Sequence, residues 1–127
     1  MTEKITVDTE TVEKWIAGYI TAWDSNDEAD IRALFTDDAR YLTAPFVAAR
    51  VGIDAIVAGW LEDRDEQGDH SFRFHVEGIG GNRAFVVGTT DYVEPARVYS
   101  NLWVIDFAAD GRATSYTEWY MRHPEKS

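Results

Sequence analysis

The chain has 127 residues, a length typical of one domain, and its 45% hydrophobic and 28% charged residues describe a folded globular protein rather than a disordered one. Its formal net charge of −11 disfavours nucleic acids and anionic membrane surfaces as partners, because both would repel it. The absence of cysteine excludes disulfides, thiol nucleophiles and thiolate metal sites, and no segment predicts a secretion signal or a membrane span. We therefore expect a single cytoplasmic domain over residues 1–127.

Helical periodicity predicts three helices in the first half of the chain. Apolar residues that recur every three to four positions predict the first helix from Asp8 to Trp23, with Asp8 as its N-cap. The turn residues Ser25-Asn26-Asp27 cap a shorter second helix, which we expect to end at Asp37-Asp38. The third helix is expected from about Gly52 to Arg64.

Two less regular segments flank the third helix. Residues 39–46 are predicted to be extended, with a short strand near Tyr41, because Pro45 cannot donate a ladder hydrogen bond and biases Ala44 away from helix. The charged run 62–69 is predicted to be a solvated loop with no special role.

After His70 the pattern changes to alternation, which predicts four strands with hairpin turns at Gly80-Gly81-Asn82 and Asp110-Gly111. The expected strands are Ser71–Ile79, Arg83–Val93, Arg97–Phe107 and Arg112–Arg122. Three helices followed by this meander predict an α+β fold, in which the helices pack on a strongly bent, mainly antiparallel β-sheet. A bent sheet closed on one side by helices forms a cone that can hold a small molecule.

The order of these elements and several local strings resemble the SnoaL-like members of the nuclear transport factor 2-like (NTF2-like) superfamily. The strings are the Trp- and Tyr-rich first helix, Asp30–Ala39, Gly52–Ile56, Asp110–Arg112 and Tyr116–Tyr120. The resemblance covers nearly the whole chain, and it implies the NTF2-like cone and a homodimer. The superfamily includes polyketide cyclases, ketosteroid isomerases, limonene-epoxide hydrolases, scytalone dehydratases and members that only bind or associate, so the fold alone selects no reaction.

Two acidic residues are the main candidates for chemistry. Alternation places Thr89 and Asp91 on one face of the second strand, and Glu118 lies among aromatic residues on one face of the last. An acid among apolar neighbours at the centre of a strand indicates a cavity or an interface. Inside an apolar cone, desolvation would raise the pKa of either carboxyl, and such a pair could transfer a proton near neutral pH. The alternative is that each carboxylate is exposed on the outer face or paired with an arginine such as Arg97 or Arg122.

The resemblance to limonene-epoxide hydrolases sharpens these positions. That branch has an Arg-x-Asp string and a second aspartate on the last strand, and a Tyr and an Asn two residues apart hold the attacking water. Thr89-Thr90-Asp91 corresponds to the first string, Glu118 to the second acid, and Tyr41 and Thr43 to the Tyr/Asn pair. Threonine replaces the arginine and the asparagine, and Glu118 is one methylene longer, which weighs against epoxide hydrolysis specifically.

Two further branches make different demands. A gapless comparison with ketosteroid isomerases places Tyr19 on the tyrosine that stabilises the oxyanion, whereas the general base of that branch becomes Ala44. Tyr19 is also on the apolar stripe of the first helix, so a core position is the alternative. Polyketide cyclases use one acid as the base for ring closure, a role that either Asp91 or Glu118 could fill.

The third strand offers an aromatic wall. Its odd-numbered face carries Asn101 and Trp103, which suits a ligand cavity with one amide to orient a ligand oxygen. The alternative is that this face packs against a second subunit and the even-numbered face lines the cavity. We predict that the ligand-binding residues are Tyr19, Trp23, Tyr41, Thr43, Thr89, Asn101, Trp103 and Tyr120.

Metal and nucleotide sites are not predicted, because the three histidines lack the spacing of a ligand set and no glycine-rich loop precedes a helix. Two hypotheses follow. The first is an enzyme that carries out cofactor-independent acid–base chemistry (isomerisation, cyclisation, dehydration or hydration) on a small, apolar, oxygenated molecule, with Asp91 and Glu118 as catalytic acids. The second is a non-catalytic module for ligand binding or dimerisation.

Overall fold

A computed structural model describes residues 6–65 and 68–124 of the chain. These residues form three helices, α1 (Thr9–Ser25), α2 (Glu28–Arg32) and α3 (Ile53–Glu62). They also form six strands: β1 (Phe35–Leu42), β2 (Arg50–Val51), β3 (His70–Gly80), β4 (Arg83–Tyr92), β5 (Arg97–Phe107) and β6 (Ala113–Arg122). The predicted α+β class is confirmed.

One sheet contains all six strands in the order β2-β1-β6-β5-β4-β3. The strands β3 to β6 form the predicted antiparallel meander, whereas β1 pairs with β6 in parallel and β2 pairs with β1 in antiparallel orientation at the edge. The strand β2 was not predicted, because two residues are too short to produce an alternating pattern.

The first helix forms as its sequence predicts. The Asp8 carboxylate accepts a hydrogen bond from the Thr11 amide at 2.8 Å, and the helix ends where Asn26 adopts a left-handed φ of 51°. Its apolar stripe is buried against the sheet, and the Trp15 indole donates a hydrogen bond to the Leu34 carbonyl at 2.8 Å. This hydrogen bond joins α1 to the start of β1.

The prediction for the second helix was wrong at its end. The helix stops at Arg32, and the buried residue Phe35 already belongs to β1. The chain leaves the helix there because the Leu34 carbonyl accepts a hydrogen bond from the Ala113 amide of the neighbouring strand. Asp37-Asp38 is therefore an exposed irregularity within β1 rather than a helix terminus.

The hairpins support the meander. The turn between β3 and β4 contains Gly81 at a φ of 59°, and β5 has the predicted bounds. Residues 108–112 connect β5 to β6, which is longer than the two-residue turn that Asp110-Gly111 predicts.

The helices cover one face of the sheet, and the alternation within the strands shows which side chains lie beneath them. On β5 the odd-numbered residues from Asn101 to Phe107 are buried, so this face lines the interior and the dimer alternative for it does not apply. In the part of the chain that the structure describes, no helix combines the length and the apolar character that a membrane span requires.

Candidate functional site

A cavity of about 310 Å³ lies between the helices and the inner face of the sheet. The two helices and the sheet around it all contribute aromatic side chains, such as Tyr19 from α1, Trp60 from α3 and Trp103 from β5. Most of its inner end consists of buried rings, and Glu118 is the carboxylic acid among them. The cavity therefore combines an apolar wall with one ionisable group at depth.

Three donors hold one oxygen of Glu118. Its Oε2 accepts hydrogen bonds from the Trp103 indole at 2.6 Å, from the Asn101 amide nitrogen at 3.2 Å and from the Tyr116 hydroxyl at 3.4 Å. The strand register explains this convergence, because Glu118 lies directly opposite Trp103 on the neighbouring strand β5. Its other oxygen, Oε1, accepts no hydrogen bond from the described residues.

Burial raises the pKa of the Glu118 carboxyl above its usual value, because desolvation disfavours the charged form. The hydrogen bonds from Trp103, Asn101 and Tyr116 oppose part of this effect. Since Oε2 is already occupied by three donors, the proton of the neutral form belongs on Oε1. Glu118 can therefore hold or accept a proton at an oxygen that none of the described donors occupies.

Tyrosine hydroxyls surround this acid. The hydroxyls of Tyr19 and Tyr41 are 2.8 Å apart, and the ring of Tyr41 stacks on Tyr116 with centroids 4.7 Å apart. Burial raises the pKa of all three hydroxyls, so that they remain protonated near neutral pH. Tyr116 donates its hydrogen bond to Glu118, and one hydroxyl of the Tyr19 and Tyr41 pair donates to the other, so the second hydroxyl of that pair keeps an O–H that can donate to an oxygen that gains negative charge.

The orientation of the Asn101 amide is fixed by a second polar residue. The buried Thr90 hydroxyl donates to Asn101 Oδ1 at 2.7 Å, which directs the amide nitrogen of Asn101 toward Glu118. Thr90 was not predicted as a site residue. No signal in the sequence distinguished it from its neighbour Thr89, because both are threonines in the same strand.

The placement of Asp91 does not agree with the prediction. Asp91 lies on the outer face of β4, where its side chain is 43% exposed and its carboxylate is 3.6 Å from the Arg73 guanidinium. Thr89 has the same outward orientation, and neither residue lines the cavity. The two predicted acids therefore lie on opposite sides of the sheet. Alternation correctly placed Thr89 and Asp91 on the same face of the strand. It did not show which face lies against the helices.

The other predicted binding residues do line the cavity: Tyr19, Trp23, Tyr41, Thr43, Asn101, Trp103 and Tyr120. Trp23 also contacts the loop that was expected to be purely solvated. Its indole donates to the Asp65 carboxylate at 2.8 Å, and the Tyr92 hydroxyl donates to the same carboxylate oxygen at 3.2 Å. Asp65 thus connects α1 to β4 at the cavity wall. Residues 66–67 of that loop lie outside the described residues.

Three arginines line the outer part of the cavity, and the prediction included none of them as ligand contacts. Arg50 forms an ion pair with Asp63. The Arg97 guanidinium lies 4.0 Å from the centroid of the Tyr92 ring, and its Nη1 donates to the Pro95 carbonyl at 2.9 Å. The third arginine, Arg64, follows α3.

No cluster of three or more potential metal ligands occurs among residues 6–65 and 68–124. His75, on the outer face of β3, contacts Glu77 at 2.6 Å. His70 stacks on Trp23 with ring centroids 3.9 Å apart.

The fold is shared with several solved structures at low sequence identity. The epoxide hydrolase/cyclase-like enzyme SalBIII, described for its role in pyran ring formation in the polyether salinomycin, has a TM-score of 0.72 at 16% identity, over 90% of this chain and 93% of that one. An NTF2-like protein of unknown function from Burkholderia xenovorans LB400 has a TM-score of 0.71 at 15% identity, over 93% and 88% of the two chains. A ketosteroid isomerase-like protein from Erwinia carotovora atroseptica has a TM-score of 0.66 at 20% identity, over 89% and 95%. At these identities the similarity establishes the NTF2-like fold alone.

Sequence comparison is more specific about family. Among curated proteins, none matches this chain significantly. A model of the SnoaL-like domain, however, matches residues 16–117, a span that contains the second half of α1 and all of α2 and α3 as well as Asn101 and Trp103. The match covers most of the chain, and the chain therefore belongs to the SnoaL-like domain family.

Proposed function

We propose that the chain is an enzyme that transfers a proton within a small, mostly apolar, oxygenated molecule, with Glu118 as its catalytic acid–base group and without a cofactor. The observation that carries this proposal is the Glu118 carboxyl itself, which lies partly buried at the inner end of a cavity and has one oxygen that accepts no hydrogen bond from the described residues. Its raised pKa favours a proton exchange nearer to neutral pH than an ordinary glutamate allows.

The chemistry needs only one acid. As a carboxylate, Glu118 removes a proton from a carbon beside a carbonyl, and the C–H electron pair becomes an enolate. One hydroxyl of the Tyr19 and Tyr41 pair donates to the other, and the second donates to the enolate oxygen. Glu118, now neutral, returns the proton to another carbon in an isomerisation, or to the oxygen formed when the enolate closes a ring. Atoms and electrons balance, because the proton leaves and returns through the same Oε1 atom.

A single acid at the inner end of the cavity narrows the choice of reaction. A two-acid proton shuttle of the kind in limonene-epoxide hydrolases is not proposed, because Asp91 lies on the outer face and pairs with Arg73. Isomerisation and cyclisation require one base only. The family and the neighbouring folds, which include a cyclase-like and an isomerase-like protein, support this range of reactions without selecting one.

The test compares Glu118→Gln with Asp91→Asn on two probes, a β,γ-unsaturated cyclic ketone and an aldehyde–ketone that can undergo intramolecular aldol closure. We expect Glu118→Gln to lower kcat/KM on the accepted probe by about 100-fold or more, because the proton-transfer group is lost while its shape is kept. Asp91→Asn should change it by less than about twofold, because Asp91 does not line the cavity. Equal losses in both variants would contradict the assignment.

The second candidate is a binding module without catalysis, and one observation favours it. The three hydrogen bonds on Glu118 Oε2 are also what a structural carboxyl requires. In that case the wild-type protein would bind both probes, measured by tryptophan fluorescence, and convert neither. Glu118→Gln would then lower the free energy of unfolding at neutral pH instead of leaving it unchanged or raising it.

We further propose that two copies of the chain associate through the outer face of the sheet. A row of apolar side chains crosses this face, in which Val87 pairs with Leu102 and Leu102 with Trp119, which is 51% exposed. The same face carries Arg73 and Asp91, so a two-fold arrangement can bring opposite charges together. Sedimentation velocity should give a dimer for the wild type and a monomer for Trp119→Lys, and a wild-type monomer at micromolar concentration would contradict this proposal.

A further inference from the structure

The Arg97 guanidinium at the cavity is held by neutral contacts rather than by an ion pair with a described carboxylate. No described carboxylate lies within ion-pair distance of its guanidinium, although the chain carries 23 acidic residues. The guanidinium is instead positioned by two neutral contacts, the face of the Tyr92 ring at 4.0 Å and the Pro95 carbonyl at 2.9 Å. These contacts orient the group and use one of its five N–H donors, which leaves donors available to an anion.

Arg97 lies at the open end of the cavity. Along the inner face of β5 the side chains change from almost fully buried at Trp103 to 8% exposed at Asn101, and then to partly exposed at Tyr99 and Arg97. All four residues line the same cavity. Arg97 and Asn101 are four positions apart on the strand, which places them roughly 13 Å from each other. Asn101 in turn contacts Glu118. A ligand in contact with both ends is therefore elongated.

The charges around the cavity differ from those of the whole molecule. The described lining contains three arginines (Arg50, Arg64 and Arg97) and three acidic residues (Asp63, Asp65 and Glu118). Asp63 pairs with Arg50, and Asp65 is held by neutral indole and phenol donors. Three arginines against three acids leave the lining with no net negative charge, in a chain whose net charge is −11. The cavity therefore repels an anion less than the rest of the surface does.

We infer that the ligand is an amphipathic carboxylic acid, whose carboxylate binds Arg97 at the open end while its apolar part lies against the aromatic wall near Glu118. This inference rests on the proposed function only in taking the cavity as the ligand site. A guanidinium presents two parallel N–H groups to a carboxylate, and a lysine in its place would lose that geometry and the contact with Tyr92.

The probes are 6-phenylhexanoate and its primary amide, which have the same shape and differ in charge. Dissociation constants are measured by calorimetry at neutral pH and low salt. Wild-type protein should bind the carboxylate about tenfold more tightly than the amide, and this preference should shrink as salt is added. Arg97→Gln should remove the preference, and Arg97→Lys should retain part of it.

The control is Arg112→Gln, because Arg112 lies in the connection after β5, where it pairs with Asp110 and does not line the cavity. It should leave the preference unchanged. Equal binding of both probes by wild type, a preference that survives Arg97→Gln, or no binding of either probe would overturn the inference.

Glu118→Gln separates this inference from the proposed function. If that variant keeps the carboxylate preference but loses turnover, both stand. A carboxylate preference in a protein that converts no substrate would retain the anchor and reject the enzyme. Glu118-dependent turnover with no carboxylate preference would reject the anchor alone.

Discussion

The two faces of the sheet each carry a carboxylic acid, and their surroundings differ in every respect. Glu118 on the inner face is partly buried beside indole, amide and phenol donors, and desolvation raises its pKa. Asp91 on the outer face is 43% exposed and lies near a guanidinium that is itself 76% exposed. Residue type alone therefore says little about chemistry, and the desolvated position is the one that gives a carboxyl an unusual proton affinity.

Apolar side chains lie on both faces of β4. Phe85 and Val87 face outward, whereas Val86, Gly88 and Thr90 face inward. A Cβ atom at Gly88 would lie only 2.3 Å from the Phe72 ring, so the glycine leaves room for Phe72 to stack on Trp103. Small and polar residues face the interior here because they make room for aromatic rings and orient Asn101.

The largest expected difference between the two faces is in how much the free energy of unfolding falls when their tryptophans are changed. Trp103→Phe removes the indole that donates to Glu118 at 2.6 Å and should lower the free energy of unfolding by about 1–3 kcal/mol, because a buried acceptor loses its donor. Trp119→Phe on the outer face should change it by less than about 0.5 kcal/mol, because the ring is half exposed and the substitution keeps an aromatic side chain. Urea unfolding of both variants measures the difference, and similar losses would contradict the asymmetry.

Most of the fold follows from the sequence because its patterns are strong and local. The helical stripe of α1, the cap at Asp8 and the alternation in β5 each depend on neighbouring residues and were predicted with nearly the observed bounds. Alternation also made Asn101, Trp103 and Glu118 candidates, the family resemblance added Tyr41, and all four line the cavity.

The rest depends on tertiary contacts that a sequence does not display. Phe85 and Val87 made the outer face of β4 resemble a core face, so Asp91 was placed inside. Arg97 was considered only as an ion-pair partner for an acid, and Asp65 only as part of a charged loop, because nothing local shows that they meet Tyr92. Long-range contacts of single polar side chains decide the site, and periodicity contains no information about them.

The inner environment of Glu118 should also be visible in the pH dependence of stability. Its pKa is raised in the folded protein above the usual value of 4.5. At a pH between the usual pKa and the raised pKa of the folded protein, the folded state binds more protons than the unfolded state. The contribution of Glu118 to stability is therefore fully present below about pH 4.5 and is lost as pH rises through the folded pKa. The Glu118→Gln variant does not lose stability in this way, because glutamine does not titrate. Urea unfolding across the pH range should therefore show wild type losing stability relative to the variant, at no more than about 1.4 kcal/mol per pH unit. A difference that does not change with pH would contradict the burial of this carboxyl.

The smallest expected effect is on the pKa of Glu118, and it compares two threonines of one strand. Thr89 and Thr90 are adjacent and face opposite sides of the sheet, and valine has nearly the same shape as threonine. Thr90→Val removes the donor to Asn101 Oδ1, so the amide is free to turn its oxygen toward Glu118 and the hydrogen bond that lowers the pKa of that carboxyl weakens. The pKa of Glu118 should rise by a fraction of a unit to about one unit, followed by the ¹³C carboxyl resonance of glutamate-labelled protein.

Thr89→Val should leave this titration unchanged, because its side chain does not line the cavity, and Thr90→Ser should restore the wild-type value, because it keeps the hydroxyl. If Thr90→Val and Thr89→Val titrate alike, the amide is held by other contacts and Thr90 only fills space. If Thr90→Ser fails to restore the pKa while Thr90→Val shifts it, the methyl group rather than the hydroxyl positions Asn101. Serine keeps the hydroxyl and valine lacks it, so the two variants show whether the hydroxyl is what matters. Because alternation directs Thr90 inward, its hydroxyl can hold Asn101 and so influence the pKa of Glu118.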